Sequence, residues 1–126
     1  MKKKKILIVE GETLIALDLK NRFERLGYVV LPVAGSAAAA VESAVKNRPD
    51  IILMDVVLKG KKTGIDAACA IIERFNVPII FMTGNTYLLH DERLKRIPSY
   101  KILGKPPFER ALLNAIESLI ITQSAL

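Results

Sequence analysis

Four residues that could do chemistry each come directly after a short, mainly apolar run: Glu10, Asp55, Thr83 and Lys105. Such runs, separated by stretches with helical periodicity, are typical of buried strands in a parallel sheet. Parallel strands point the same way, so the residues that end them gather along one edge. This edge, at the carboxyl ends of the strands, is where open α/β sheets bind ligands. We therefore expect two carboxylates, a hydroxyl and an ammonium to share one small pocket.

The length and composition predict one globular domain that spans residues 1–126. Hydrophobic residues make up 51% of the chain and charged residues 25%, which excludes a disordered protein. No apolar stretch approaches the roughly 20 residues that a membrane span needs, and the first apolar run is too short for a signal peptide. A single cysteine excludes an internal disulfide. We expect a cytoplasmic protein that does not bind membranes.

The charge of the chain is basic, with 19 Lys and Arg against 13 Asp and Glu and a net charge of +6. Much of the excess is the lysine run at residues 2–5. Such a run indicates either a surface for nucleic acids or a solvated lead-in to the first strand. No aromatic residues interleave with these lysines, as single-strand binders require. We therefore predict that this domain binds no nucleic acid.

Strand and helix alternate five times along the chain. The predicted strands cover residues 6–9, 28–34, 51–54, 77–82 and 100–104, and the predicted helices cover 13–26, 37–47, 65–75, 85–96 and 106–121. Gly27 is the expected stop of the first helix, and Ser36 the expected N-cap of the second. Right-handed crossovers leave few topologies, of which the strand order 2-1-3-4-5 is favoured. This order makes Glu10 and Asp55 neighbours at the switch point of the sheet.

These residue types fit one reaction, the transfer of a phosphoryl group to a carboxylate. Two nearby carboxylates repel each other, and either Mg²⁺, which prefers oxygen ligands, or Lys105 can compensate their charge. The metal and Lys105 would also stabilise charge on phosphoryl oxygens, while Thr83 would donate a hydrogen bond. Asp55 could then act as the nucleophile and form an acyl phosphate. The set contains no histidine base, so protease chemistry lacks its usual machinery.

Four motifs occur in order along the whole domain: residues 6–10 (ILIVE), 49–55 (PDIILMD), 82–84 (MTG) and 105–106 (KP). With the same alternation of strands and helices, the chain resembles a response-regulator receiver domain, the phosphoacceptor module of two-component signalling. The resemblance implies a flavodoxin-like (βα)5 fold, in which a parallel sheet forms the middle layer of a three-layer sandwich.

The resemblance also implies a metal site around the phosphorylated residue, which would be Asp55. Glu10 and the backbone carbonyl of Val57 would hold Mg²⁺ together with Asp55. The family normally has a second acidic residue after the first, where this chain has Gly11, so we expect a weakened affinity for Mg²⁺. Glu12, one position further, either reaches the metal or favours the N-terminus of the first helix, and we prefer the second interpretation.

For the switch, the resemblance implies that Thr83 moves toward the phosphoryl group and that Lys105 contacts it. Gly84 would keep the site accessible, and the bond between Lys105 and the following proline is often cis in the family. The family usually has an aromatic residue at the secondary switch position, where this chain has Ile102. Tyr100, on the same strand face, is either a substitute for it or a packed strand tyrosine.

Three lysines crowd the loop after the phosphoacceptor: Lys59, Lys61 and Lys62. They predict a solvated loop; the alternative is that one of them partly replaces the charge of the metal.

The expected function is a receiver that takes a phosphoryl group from a histidine kinase or phosphotransfer protein and acts on no other substrate. A downstream protein would bind the face formed by the fourth helix, the fifth strand and the last helix; Leu88, Leu89 and Leu94 belong either to this surface or to the core. The alternative is a receiver-like binding module that is not phosphorylated, because Gly11 replaces a metal ligand. The sequence leaves a homodimer open.

Overall fold

The computed structural model describes residues 3–84 and 90–124, the last four without their side chains. Its sheet contains five parallel strands in the order β2-β1-β3-β4-β5, which confirms the predicted topology. The strands are β1 (Lys5–Val9), β2 (Val29–Val30), β3 (Ile51–Asp55), β4 (Ile79–Thr83) and β5 (Tyr100–Gly104).

Helices cover both faces of the sheet and complete the three layers. They are α1 (Thr13–Arg25), α2 (Ala37–Asn47), α3 (Gly64–Ile72), a 3-10 helix (Glu92–Arg96) and α4 (Glu109–Ser124). One core cluster packs α2, α3 and the 3-10 helix against the sheet, and a second packs α1 and α4 against the opposite face. The predicted flavodoxin-like class is confirmed. Among the described residues, every helix is too short or too polar to cross a membrane.

Local signals in the sequence fix several helix ends. Ser36 caps α2, because its hydroxyl accepts a hydrogen bond from the Ala39 N–H at 3.2 Å. Gly27 follows α1 with φ of +93°, a conformation that glycine adopts without strain. Both predictions are confirmed.

The second strand is much shorter than the predicted range of 28–34, because Pro32 interrupts it. Proline has no N–H to donate to a ladder. The segment nevertheless stays beside β1, since the Leu31 N–H donates to the Ile6 carbonyl and the Ala34 N–H to the Ile8 carbonyl, each at 3.0 Å. The strand prediction was therefore wrong in length and right in placement.

Three predicted helix ranges also need correction. The last helix begins at Glu109 rather than at Pro106, since Pro107 disfavours helical backbone at the residue before it. The third helix ends at Ile72 instead of residue 75. The described part of the fourth, residues 90–96, contains the 3-10 helix (Glu92–Arg96) instead of a continuous α-helix, and this helix ends before Ile97, which precedes a proline and is extended.

The partner surface predicted on that fourth helix is only partly described. Leu94 is buried in the core, with 5% of its surface exposed. Leu88 and Leu89 lie outside the described residues.

Candidate functional site

The carboxyl edge of the sheet carries the four predicted residues. Asp55 and Thr83 are the last residues of the paired strands β3 and β4, while Glu10 and Lys105 directly follow β1 and β5. Backbone hydrogen bonds hold the two that follow strands: the Glu10 N–H donates to the Ala34 carbonyl at 2.9 Å, and the Lys105 N–H to the Thr83 carbonyl at 3.1 Å. These four residues are therefore held in position by the sheet itself rather than by flexible loops.

The centre of the site is an ion cluster of two acids and one lysine. Lys105 Nζ lies 2.8 Å from Asp55 Oδ2 and 3.0 Å from both carboxylate oxygens of Glu10. Only 2% of Glu10 and 3% of Asp55 is exposed. The predicted meeting of the ammonium with both carboxylates is present in the structure.

Burial and neighbouring charges shift the pKa values of two groups in this cluster, Asp55 and Lys105. Burial raises the pKa of the Asp55 carboxyl, the charge of Glu10 adds to that rise, and the hydrogen bond from Lys105 opposes it. For Lys105, burial by itself lowers the pKa, but the hydrogen bonds and charges of both acids outweigh it, so the pKa of the ammonium is raised. Lys105 therefore stays protonated while Asp55 is a stronger base than an ordinary aspartate.

Backbone N–H groups orient both carboxylates. The Val57 N–H donates to Asp55 Oδ1 at 3.1 Å, and the Glu12 N–H donates to Glu10 Oε1 at 3.0 Å. Glu12 occupies the N-cap position of α1, but its exposed side chain makes no capping hydrogen bond. The structure thus places Val57 beside the Asp55 carboxylate and Glu12 at the end of α1.

The switch candidates lie on the neighbouring strands. Thr83 is buried with 5% exposure, whereas Gly84 is exposed and has open space where a Cβ would be. Ile102 is half-buried on β5 and pairs with Phe81 in the register of the sheet. Tyr100 packs edge-on against Phe81 with ring centroids 6.1 Å apart, in the half of β5 farther from the site.

The oxygen atoms of the site suit a hard divalent cation, although the set is small. Among the described residues, no group of three or more Asp, Glu, His or Cys side chains could hold a metal ion. Mg²⁺ needs only one or two carboxylates because it keeps several waters. Glu10 Oε2 is buried and accepts no hydrogen bond even with Lys105 Nζ nearby, so this oxygen has acceptor capacity left. The carboxylate oxygens of Glu10 and Asp55 therefore suit a hydrated Mg²⁺ ion.

Gly64, which the sequence pattern did not single out, lies against the backbone of Asp55. A Cβ atom at this first residue of α3 would lie 2.2 Å from the backbone oxygen of Asp55. Its neighbour Thr63 forms a capping box with Asp66, with the Asp66 N–H donating to Thr63 Oγ1 at 3.2 Å and the Thr63 N–H donating to Asp66 Oδ2 at 2.7 Å. The spacing of Thr63 and Asp66 is a signal from which the start of α3 could have been found.

The chain belongs to the response regulator receiver domain family, whose sequence model matches residues 6–117. It is 38% identical over 124 residues to the phyllosphere-induced regulator PhyR of Methylorubrum extorquens, covering 95% of this chain and 45% of that protein. It is 34% identical over 114 residues to the transcriptional regulatory protein PdtaR of Mycobacterium tuberculosis, covering 90% of this chain and 55% of that protein. The chain thus spans about half the length of these curated relatives.

A solved structure gives the same family. The N-terminal domain of a response regulator/sensory box/GGDEF protein from Carboxydothermus hydrogenoformans superposes with a TM-score of 0.86 at 32% identity, covering 97% of this chain and 98% of that one. Receiver domains belong to two-component signalling, generally bind Mg²⁺, interact with kinases and downstream effectors, and are generally not enzymes in their own right.

Proposed function

We propose that this chain is a phosphoacceptor switch and that Asp55 is the residue phosphorylated. The observation that carries the proposal is the buried cluster in which Lys105 Nζ lies 2.8 Å from Asp55 Oδ2 and 3.0 Å from Glu10. A carboxylate nucleophile is held beside a cation that can stabilise the charge of an incoming phosphoryl group.

In the proposed reaction, a carboxylate oxygen of Asp55 attacks the phosphorus of a phosphohistidine on a histidine kinase or phosphotransfer protein. The O–P bond forms as the P–N bond breaks, and the electron pair of that bond leaves with the imidazole nitrogen. One negative charge on Asp55 is replaced by a phosphoryl group with roughly two. Lys105, which is shared between two acids beforehand, then contacts the phosphoryl oxygens.

We propose that Glu10, Asp55 and the Val57 carbonyl hold Mg²⁺, whereas Glu12, exposed at the N-cap of α1, favours the N-terminus of that helix. The bound ion supplies positive charge to the oxygens of the transferring group. Because Gly11 contributes no carboxylate, the affinity for the ion is lower than in family members with an acidic residue there.

Thr83 is the proposed switch residue, and its hydroxyl moves toward the phosphoryl group while Gly84 leaves the approach open. The Lys105 N–H already donates to the Thr83 carbonyl, so a change at Thr83 occurs next to β5. Along that strand, Ile102 and Tyr100 are the secondary positions through which the change reaches the face built by the 3-10 helix, β5 and α4. A downstream protein or a second copy of the chain binds this face in the cytoplasm.

Intact-mass spectrometry after incubation with acetyl phosphate and Mg²⁺ tests this proposal. We expect one labile phosphoryl adduct on the wild type, none on Asp55→Asn, and one on the control Asp18→Asn, whose carboxylate is exposed on α1. Absence of an adduct on the wild type would instead favour the receiver-like binding module that is not phosphorylated.

A further inference from the structure

The loop after Asp55 brings one lysine to the position where the metal site lacks a carboxylate. A Cβ atom at Gly11 would lie 3.9 Å from Cγ of Lys59, an ordinary van der Waals contact. No atom of Lys61 or Lys62 comes within 4 Å of that Cβ position. Lys59 is therefore the one lysine of this loop that borders the space of the missing side chain.

Hydrogen bonds hold the course of this loop next to the phosphoacceptor. At its start, the Val57 N–H donates to Asp55 Oδ1 at 3.1 Å. At its end, the Gly64 N–H donates to the Val56 carbonyl at 2.8 Å. Gly60, with φ of +94°, turns the chain directly after Lys59. The lysine thus extends from a closed loop beside the site.

The net charge of the site is negative and would favour a second ammonium group nearby. Glu10 and Asp55 carry two negative charges and Lys105 carries one positive charge, which gives −2 + 1 = −1. Phosphorylation replaces one of the negative charges with roughly two, so the total becomes about −2. Lys59 is exposed and forms no ion pair with a carboxylate in the described part of the chain, so no existing pair has to break.

We infer that Lys59 is a second phosphoryl-binding residue, whose ammonium reaches the phosphoryl oxygens across the space that Gly11 leaves open. The inference rests on the proposed function, because it requires that Asp55 accepts the phosphoryl group. An acidic residue at position 11 would lie against Lys59, whereas glycine leaves that lysine available. Because position 11 has no acid, the site binds a divalent cation less tightly. Because Lys59 supplies positive charge, phosphorylation depends less on that cation.

Labelling by acetyl phosphate in EDTA and in excess Mg²⁺ tests the inference, with Lys59→Gln compared to the matched control Lys61→Gln. An Asp55 oxygen forms the O–P bond as the P–O bond to acetate breaks, and the electron pair leaves with the acetate. In EDTA we expect Lys59→Gln to lower the labelling rate roughly tenfold, as for the loss of one charge-assisted hydrogen bond. Lys61→Gln should change it by less than about twofold.

A second measurement does not depend on phosphorylation. Titration of the unphosphorylated proteins with Mg²⁺, followed by amide chemical shifts, should show a few-fold tighter binding for Lys59→Gln, since a nearby like charge has gone. Lys61→Gln should match the wild type.

The outcomes separate this inference from the proposed function. Equal rates for both variants in EDTA, or a wild type that is labelled only when Mg²⁺ is present, would overturn the role of Lys59 and leave Asp55 as the phosphoacceptor. Absence of any adduct in both conditions would overturn the proposed function and the inference together.

Discussion

Gly64→Ala should damage the site without touching any charged group in it. Gly64 is the first residue of α3, and an added Cβ would lie 2.2 Å from the backbone oxygen of Asp55 and 2.9 Å from Cγ of Met54. The methionine side chain can move, but the Asp55 oxygen belongs to a central strand. Ordinary contacts begin at 3.4 Å, so the two backbones must separate by about 3.4 − 2.2 = 1.2 Å.

This separation should lower both the free energy of unfolding and the rate of phosphorylation. Overpacking of this kind costs up to about 3 kcal/mol, and the better helix propensity of alanine recovers up to about 1 kcal/mol, which leaves roughly 2 kcal/mol of destabilisation. A misplacement of about 1 Å in a reacting group can lower a rate by roughly 100-fold. We therefore expect Gly64→Ala to stay folded and to lose most of its phosphoryl acceptance.

Urea denaturation would measure the free energy of unfolding, and intact-mass spectrometry would measure the rate of labelling by acetyl phosphate. Gly35→Ala is the matched control, because a Cβ at Gly35 has no atom within 4 Å. A Gly64→Ala protein with wild-type stability and a wild-type labelling rate would show that α3 and β3 accommodate a Cβ atom at this contact.

Three further substitutions have defined outcomes. Lys105→Met should cost about 3–5 kcal/mol in the free energy of unfolding at neutral pH, because it leaves two buried carboxylates unpaired. It should also raise the already raised pKa of Asp55, so that, as the pH is lowered, the labelling rate of the variant begins to fall at a higher pH than that of the wild type. The difference in stability between variant and wild type should shrink over the same pH range, because acid protonates Asp55. Arg93→Gln should cost only about 1 kcal/mol, because its ion pairs are partly exposed. The pKa values of its two aspartate partners are lowered from 3.8. The loss of stability in the variant should therefore be complete above pH 3.8 and disappear as the pH falls through the lowered pKa values, where both aspartates become protonated. Gly11→Asp should raise the affinity for Mg²⁺ roughly tenfold, or about 1.4 kcal/mol, measured by calorimetric titration.

Each of these has a control at the same position or on the same or the adjoining element. Lys101→Met, exposed on β5, should leave the pH profile of labelling unchanged. Lys95→Gln breaks an ion pair whose side chains are 79% and 81% exposed and should not alter stability measurably. Gly11→Asn should gain much less Mg²⁺ affinity than Gly11→Asp, and equal gains would contradict a charge-based ligand role.

The sequence predicted those parts of the fold that depend on local pattern. The apolar runs predicted that Glu10, Asp55 and Lys105 lie at one edge of the sheet, because residues at the carboxyl ends of parallel strands always share an edge. The length of β2 was missed where Pro32 breaks the ladder inside an apolar stretch. The start of α4 was missed because Pro107 restricts the residue before it, a local rule that competed with the preference for proline at helix starts.

The contacts of the site could not be predicted in the same way. The approach of Gly64 to the Asp55 oxygen depends on how α3 packs against β3, and glycine at a helix start gives no sign of it. The position of Lys59 near Gly11 likewise depends on the path of a loop, and the sequence could only name three lysines without choosing among them.

The most direct test of phosphorylation at Asp55 is to locate the modified residue after labelling with acetyl phosphate. Borohydride reduces an aspartyl phosphate to homoserine, which tandem mass spectrometry of the proteolytic peptides identifies by position. We expect homoserine at position 55 and at no other aspartate. Homoserine at another aspartate, or an unmodified Asp55 in protein that carries the adduct, would contradict this expectation.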